Sequence, residues 1–113
     1  MEVFKLSYQL SMEIFNVSRN FPKEERYSLT DQLVRSSRSI SANIAEGWGK
    51  RIYENEFKRH LIYGMGSLEE TKAWLNFARD CLYLPKEVFD GLSKKYDELG
   101  AKIYKLYENW KTL

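Results

Sequence analysis

The chain has 113 residues, of which 43% are hydrophobic and 30% charged, and its two prolines are too few to indicate a disordered chain. This length predicts one domain over residues 1–113. Cys81 is the only cysteine and His60 the only histidine, which excludes an internal disulfide and a Cys/His zinc site, and we expect no cofactor. A net charge of +2 permits a nucleic-acid partner without requiring one.

The location of the protein is predicted from its first residues and its apolar runs. Glu2, Lys5 and Glu13 interrupt the apolar positions near the N-terminus, so we expect no secretion signal. No uncharged apolar run approaches the ~18 residues that a membrane-spanning helix needs. We therefore expect a cytoplasmic protein that does not bind a membrane. The chain also has eight Tyr and three Trp, residue types that favour interfaces, and this predicts self-association.

The first predicted helix covers residues 2–20 and ends before Pro22, because the residue preceding a proline is pushed out of the helical region. Its apolar face repeats every three or four residues, as one side of a helix does, and comprises Val3, Leu6, Leu10, Ile14, Val17 and Phe21. Three aromatic residues widen this face and are predicted to belong to a subunit interface: Phe4, Tyr8 and Phe15.

The second predicted helix covers residues 28–46 and is rich in small side chains. Serine is a mediocre helix former, so close approach of another backbone explains these residues better than helix propensity does. The third predicted helix, residues 53–81, offers matching small residues in Gly64, Gly66 and Ser67. Glycine inside a helix costs about 1 kcal/mol relative to alanine, so these positions predict tight packing between the two helices.

The segment Gly47-Trp48-Gly49-Lys50 follows the second helix and has two interpretations. A phosphate-binding loop needs Gly-x-x-x-x-Gly-Lys-Ser/Thr between a strand and a helix, but here Arg51 replaces the Ser/Thr and no strand precedes. A glycine just beyond a helix end instead adopts the left-handed conformation that closes the helix. We therefore predict that Gly47 and Gly49 form a helix cap.

The third and fourth helices complete the predicted bundle. A second stripe on the third helix, Tyr63, Trp74 and Phe77, is predicted to contact another subunit, although such aromatics also stack bases in single-strand binders. The fourth helix begins at Pro85 and carries a heptad repeat of Phe89, Leu92, Tyr96, Leu99, Ile103, Leu106 and Trp110. Short loops make neighbouring helices antiparallel, which predicts an all-α, up-down-up-down four-helix bundle.

A polar stripe runs along the second helix. Its members recur every three or four residues: Gln32, Ser36, Ser39, Asn43 and Glu46. We predict that the stripe and the flanking Arg35 and Arg38 hold this helix to the third helix or to another subunit, with either arginine paired to Glu46 or Glu70. The alternative is an enzyme with Glu46 and Glu70 as acid and base, which requires an apolar pocket that the sequence does not indicate.

His60 is the remaining candidate metal ligand. A di-metal helical bundle requires Glu-x-x-His on two helices, whereas Phe57 stands three residues before His60. We therefore predict that the chain has no metal site and that His60 lies at the surface or in an interface.

Two segments, residues 21–50 and 57–75, carry a distinctive combination of residues. The pattern is Phe-Pro-x-x-Glu with a following Gln and Arg, then Ser-x-x-x-Asn-Ile-Ala-Glu-Gly, then Gly-Ser-x-x-Glu. It is formed by Phe21, Pro22, Glu25, Gln32, Arg35, Ser39, Asn43, Ile44, Ala45, Glu46, Gly47, Gly66, Ser67 and Glu70. With these residues the chain resembles the four-helix-bundle family encoded within intervening sequences of bacterial 23S rRNA genes, also labelled S23 ribosomal protein.

That family is similar in fold to the accessory protein of diversity-generating retroelements. The accessory protein is a homopentamer with a basic surface that contacts a reverse transcriptase and binds nucleic acid. The resemblance therefore implies a homo-oligomer, by analogy a pentamer arranged as a ring. It also implies RNA or DNA as a partner, and a reverse transcriptase or another protein as a further partner.

A basic cluster surrounds the loop between the second and third helices and comprises Lys50, Arg51, Lys58 and Arg59. Most such side chains simply face solvent, but a surface of this kind also binds phosphates in a salt-dependent way. From the cluster and the resemblance we predict a small, non-enzymatic, homo-oligomeric scaffold that binds RNA or DNA non-specifically. The alternative is a protein–protein interaction module that binds no nucleic acid.

Overall fold

The structure, a computed structural model, describes residues 1–112, so Leu113, the last residue of the predicted domain, lies outside the described residues. Its four helices are α1 (Glu2–Ser18), α2 (Leu29–Gly49), α3 (Glu54–Asp80) and α4 (Lys86–Asn109). A short 3-10 turn, Lys23–Glu25, lies between α1 and α2. No described residue belongs to a strand, and the predicted all-α class is confirmed.

One apolar core runs along the axis of the bundle. On α4 the predicted heptad faces inward: Phe89, Leu92, Tyr96, Leu99 and Ile103 are buried, and Leu106 and Trp110 pack against them half-buried. The other helices contribute stripes of the same kind, which include Leu10, Ile14, Leu33, Ile40, Ile44, Phe57, Leu61 and Leu75. Full burial of one such side chain contributes about 1.5–3 kcal/mol, so packing of these stripes stabilises the helices.

Neighbouring helices are antiparallel. Ser36 of α2 contacts Thr71 of α3, and further along α2 Asn43 contacts His60, which precedes Thr71 on α3. Ion pairs show that α1 and α4 are also antiparallel, since Glu13 pairs with Lys95 and the earlier Glu2 pairs with the later Lys102. Each helix contacts the helices before and after it, and α4 closes the bundle against α1. The up-down-up-down order follows from these contacts.

The end of α2 differs from the prediction. The helix continues through Gly47 to Gly49, and Lys50 closes it with a φ of −108°. No glycine among residues 1–112 has a positive φ, so the predicted left-handed cap at Gly47 and Gly49 is wrong. Gly47 is instead buried inside the helix, where a Cβ atom would lie 2.7 Å from the Cβ of His60. The residue is required for space and not for backbone conformation.

The small residues between α2 and α3 divide into two groups. A Cβ on Gly64 would lie 3.7 Å from the carbonyl oxygen of Ile40, and Ser67 Oγ donates a hydrogen bond to Ser39 Oγ at 2.9 Å. These two residues lie where the helices approach closely, as predicted. Gly66 is exposed and nothing lies within 4 Å of the position that its Cβ would take. Close packing within this chain is therefore the wrong explanation for Gly66.

Candidate functional site

A ladder of short polar side chains joins α2 to α3. Ser39 Oγ accepts from Ser67 Oγ, and Thr71 Oγ1 lies 2.9 Å from Ser36 Oγ and 2.8 Å from its own helix's Ser67 carbonyl oxygen. Ser36 and Thr71 are buried, so each hydroxyl needs the partners that the ladder supplies. The ladder pairs these hydroxyls with one another and with a helix carbonyl, which is a structural arrangement that holds α2 against α3.

The predicted ion pairs across the seam between α2 and α3 are wrong. Arg35 pairs with Asp31 on its own helix at 3.6 Å, and the guanidinium of Arg38 lies 5.5 Å from the centre of the Phe15 ring on α1. Glu70 accepts a hydrogen bond from Trp74 Nε1 at 3.0 Å. Arg38 and Glu70 project outward because buried hydroxyls already fill the seam, where an uncompensated charge would be costly. Gln32 is also exposed.

Glu46 and Glu70 do not form an acid–base pair. Glu46 Oε2 lies 3.6 Å from His60 Nε2, at the end of the bundle where α2 meets the start of α3. Glu70 lies ten residues further along α3, a separation of about 15 Å along the helix axis. The two carboxylates therefore share no pocket in which a substrate would contact both.

His60 is buried at 5% exposure, and its predicted position at the surface or in an interface is wrong. Asn43 Nδ2 donates to the Ser39 carbonyl at 2.9 Å, so Asn43 Oδ1 faces His60 Nδ1 at 3.3 Å and accepts a hydrogen bond from it. Nε2 is then left to accept from Lys50 Nζ at 3.3 Å. The spacing of His60 from Phe57 and Gly64, both buried on α3, would have identified its inward face.

The four residues of the basic cluster surround the turn between α2 and α3 but do not share one side. Lys58 pairs with Glu54 and lies 5.4 Å from the centre of the Tyr107 ring, which places it on the α4 side. Arg59 pairs with Glu56 at 2.6 Å, and this hydrogen bond raises the pKa of the guanidinium.

Lys50 and Arg51 lie in the turn itself. Lys50 pairs with Glu46 at 3.2 Å, whereas Arg51 has no carboxylate partner among the described residues. The Arg51 guanidinium stacks on the Trp48 ring, 4.3 Å from its centre, and donates to the Trp48 carbonyl at 2.9 Å.

Aromatic and aliphatic side chains accompany these cations at the end of the bundle. Ile52 and Tyr53 are 71% and 65% exposed, next to the Arg51–Trp48 stack. Trp48 itself packs edge-on against Phe57 and against Trp110, which anchors it to the core. We call Trp48, Lys50, Arg51, Ile52 and Tyr53 the basic aromatic turn. Sequence reasoning missed its apolar members, although they flank the two consecutive cations along the chain.

The C-terminal residues hold this turn in place. Thr112 Oγ1 donates to the Arg51 carbonyl at 2.8 Å, and the Thr112 amide donates to Glu54 Oε1 at 3.2 Å. The second bond is the main reason why the pKa of Glu54 lies below its ordinary value. The turn is therefore fixed from three directions, by α2, α3 and the end of the chain.

The six aromatic residues that were predicted to form an interface lie at or near the surface. Tyr8, Tyr63 and Phe77 are 54%, 49% and 57% exposed, whereas Phe4, Phe15 and Trp74 are half-buried. They form two separate stripes, one along α1 and one along α3. Whether another subunit covers them stays a prediction.

Residues 1–112 contain no group of three or more His, Cys, Asp or Glu side chains placed to hold a metal ion. In the same residues no helix has the length and apolarity needed to cross a bilayer.

The fold and the turn place the chain among small four-helix-bundle proteins. The sequence profile of the 23S rRNA-intervening sequence protein family matches residues 1–105, so the chain belongs to this family. A solved structure from Bacteroides thetaiotaomicron VPI-5482, a protein of unknown function from the S23 ribosomal protein family, has a TM-score of 0.86. It covers 95% of this chain and 96% of its own at 21% identity, which establishes a shared fold. Comparison with curated proteins gave no match.

Proposed function

We propose that this chain is a non-enzymatic scaffold that assembles as a homo-oligomer and binds RNA or DNA through the basic aromatic turn, without recognising base sequence. The observation that carries the proposal is the turn itself. Arg51 stacks on Trp48 without a carboxylate partner in the described chain, and Tyr53 is exposed beside it. Proteins that bind single strands combine these two elements, cations for the phosphates and aromatic rings for the bases.

Assembly strengthens the proposal, because one copy carries only a modest charge. In the pentamer that the resemblance implies, five copies of +2 each would give a ring with a charge of +10. A ring would also present five turns to one strand, and linked sites raise the overall affinity without any new contact. The family's name, which refers to sequences inserted in 23S rRNA, favours RNA as the first ligand to test.

Fluorescence anisotropy with labelled single-stranded RNA and DNA tests the proposal directly. In the first variant Lys50, Arg51, Lys58 and Arg59 are all replaced by alanine. Loss of these phosphate contacts should weaken binding by about tenfold or more at low salt and flatten its salt dependence. A second variant, Tyr53→Ala, should weaken binding without changing the salt dependence, because it removes stacking and no charge.

A matched control removes four cations from the opposite end of the bundle. Lys23, Arg26, Lys86 and Lys94 lie in the α1–α2 connection and the first half of α4, far from the turn. Their replacement by alanine lowers the net charge by the same amount. Affinity close to wild type in this control supports a local binding surface. Equal weakening in both variants would contradict the turn as the site, since only overall charge would then matter.

The second candidate is a protein–protein interaction module. Three cations of the predicted cluster, Lys50, Lys58 and Arg59, already pair with glutamates in their own chain, which leaves less charge free for phosphates. An oligomer that binds neither RNA nor DNA at low salt would favour this module.

A further inference from the structure

Two aromatic stripes with opposite charge lie on different sides of the bundle. The first, which we call the basic aromatic face, comprises Tyr8, Met12 and Phe15 of α1, Arg19 directly after the end of α1, and Arg38 of α2. These residues are spaced by four, three and four along α1, so they share one side of that helix. Both guanidinium groups lie over the Phe15 ring, at 5.8 Å and 5.5 Å from its centre. Neither forms an ion pair within the described chain.

The second stripe, which we call the acidic aromatic face, comprises Tyr63, Gly66, Glu70, Trp74 and Phe77 of α3. Its spacing of three, four, four and three residues places all five on one side of the helix. The Trp74 and Phe77 rings pack at 5.7 Å, and Glu70 accepts from Trp74 Nε1. Within residues 1–112 the Glu70 carboxylate has no cationic partner. The Arg59 guanidinium lies 6.0 Å from the centre of the Tyr63 ring, at one end of this face, and is paired with Glu56. Each face extends about 15–20 Å along its helix, so the two match in length.

Gly66 leaves a gap in the side chains of the acidic aromatic face. It lies in the middle of a 27-residue helix, where glycine is less favourable than alanine. Nothing lies within 4 Å of the Cβ positions of Gly49, Gly66 and Gly91, and of these three glycines Gly66 is the one that lies on the acidic aromatic face. The missing side chain therefore leaves the α3 backbone open at the centre of the exposed aromatic stripe, with room for a ring from another molecule.

We propose that the basic aromatic face of one copy docks on the acidic aromatic face of a second copy, with Arg38 paired to Glu70 and an α1 aromatic ring seated over Gly66. This inference rests on the self-association in the proposed function and identifies the two surfaces that produce it. The opposite charges of the two faces favour contact between unlike faces, because contact between two basic faces or two acidic faces would bring like charges together.

The arrangement of the helices makes the contact head-to-tail. α1 and α3 each contact α2 and α4 but not one another, so they are diagonal in the bundle. One molecule therefore presents both faces at once to two different neighbours. Contacts between unlike faces generate a closed ring when the rotation between successive copies allows it. The docking mode thus leads to a ring without a two-fold axis at each contact.

Molar mass by light scattering, with sedimentation equilibrium, tests this interface. Gly66→Gln places a side chain in the path of the incoming ring and should raise the apparent dissociation constant of assembly by about tenfold or more. The monomer should keep its fold, because the new Cβ meets nothing in its own chain. Gly91→Gln is the matched control, since Gly91 lies inside α4, belongs to neither face and has nothing within 4 Å of its Cβ position. Its mass should equal that of the wild type.

Charge exchange tests the specific pair. Arg38→Glu and Glu70→Arg should each lower the mass, and the two substitutions in one chain should restore it. A mixture of the Arg38→Glu and Gly66→Gln chains retains one intact face of each kind, so it should form a one-to-one dimer and nothing larger. Wild-type mass in Gly66→Gln, or no restoration in the charge exchange, would overturn the proposed interface.

The experiments distinguish failure of the proposed interface from failure of the proposed nucleic-acid binding. Replacing only Lys50 and Arg51 by alanine should leave the mass unchanged, because neither lies on either face. An oligomer that responds to Gly66→Gln but binds no RNA or DNA would contradict nucleic-acid binding and support the interface. A wild-type protein that stays monomeric at high concentration would overturn the interface, while binding by the monomer would still be measurable.

Discussion

Gly47 sets the distance between α2 and α3 at the end that carries the basic aromatic turn. A methyl group there would lie 2.7 Å from His60 Cβ, 3.2 Å from the Phe57 ring and 3.3 Å from the Phe57 carbonyl oxygen. One of these contacts is with backbone, which cannot rotate away. The absence of a side chain at this position therefore allows His60 to pack beneath α2 and to reach Asn43 and Lys50.

Gly47→Ala should destabilise the protein by about 1–3 kcal/mol, the usual effect of overfilling a packed interior. Gly49→Ala is the matched control, because nothing lies within 4 Å of its Cβ position and alanine favours the helix. The control should be neutral or slightly stabilising. Urea denaturation followed by circular dichroism measures both. Equal stability of Gly47→Ala and Gly49→Ala would contradict the close contact described here.

Leu82 holds the end of α3 in an unfavourable backbone conformation. Its φ of 65° lies in the left-handed region, where the Tyr83 amide donates back to the Ala78 carbonyl at 2.9 Å to close the helix. Glycine usually occupies this position because a Cβ atom is strained there. The side chain of Leu82 is 87% exposed, so it recovers little of that energy through burial.

Leu82→Gly should therefore stabilise the protein by about 1 kcal/mol. Leu82→Ala separates the backbone effect from loss of the side chain, because alanine carries the same strain as leucine. The Ala variant should stay close to wild type in chemical denaturation. A glycine variant no more stable than the alanine variant would show that the conformation costs little.

At the scale of helices, the apolar period of α4 was sufficient to predict its inward face. A strict three-four repeat buries the same side of a helix whatever the partner, so Phe89 to Ile103 could be assigned from sequence. The serines of α1 were not recognised, although Ser7, Ser11 and Ser18 are buried. Each donates to the carbonyl three residues before it, which makes burial tolerable, and hydropathy alone cannot reveal such a bond.

Glu25 joins two connections at the end of the bundle away from the turn. Its carboxylate accepts hydrogen bonds from Ser28 Oγ at 2.6 Å, from Tyr83 Oη at 2.8 Å and from the Leu29 amide at 3.3 Å. These bonds lower the pKa of Glu25 below its ordinary value near 4.5, and the bond to Glu25 raises the pKa of Tyr83 to about 12. The α1–α2 connection is thereby tied to the start of the α3–α4 connection.

The two shifts predict how stability depends on pH. A depressed carboxyl pKa contributes stability that is present above about pH 4.5 and is lost as the pH falls through the lower folded value. A raised tyrosine pKa contributes stability that is present below about pH 10 and is lost as the pH rises towards 12. Tyr83→Phe keeps the ring that packs on Phe21 but removes the bond, so stability should fall less steeply at both extremes.

Thermal unfolding between pH 3 and pH 11 measures this dependence. Tyr27→Phe is the control, since Tyr27 is 83% exposed and its hydroxyl forms no hydrogen bond in the described chain. Its pH profile should coincide with that of the wild type. A Tyr83→Phe profile that also coincides with the wild type would contradict the link through Glu25.

For the whole molecule, the fold was more predictable from sequence than the surface. Periodicity and short loops specify a four-helix bundle, because each helix has one inward side to bury. Contacts between surface side chains are harder to predict from sequence, since they depend on which side chains meet in space. Arg38 and Glu70 looked like partners across one seam, and yet buried hydroxyls fill that seam. Their outward positions became informative only once the helices were in place.

For the same reason, the cations of the basic aromatic turn were predicted from sequence but its apolar members were not. Lys50 and Arg51 stand out as cations near a helix end. Their value as a binding surface depends on the Trp48 stack and on the exposure of Tyr53, and both follow from how α2 ends. A cap at Gly47, had it formed, would have ended the helix before Trp48 and removed the residue from its place against Phe57.

The salt dependence of RNA binding, measured together with molar mass in the same samples, tests the central claim most directly. An oligomer that binds labelled single-stranded RNA at low salt should lose affinity steeply as salt rises. The slope of log K against log salt should be about −0.7 for each phosphate that the turns neutralise. An oligomer that binds neither RNA nor DNA at low salt would contradict the claim and leave the bundle as a protein-interaction module.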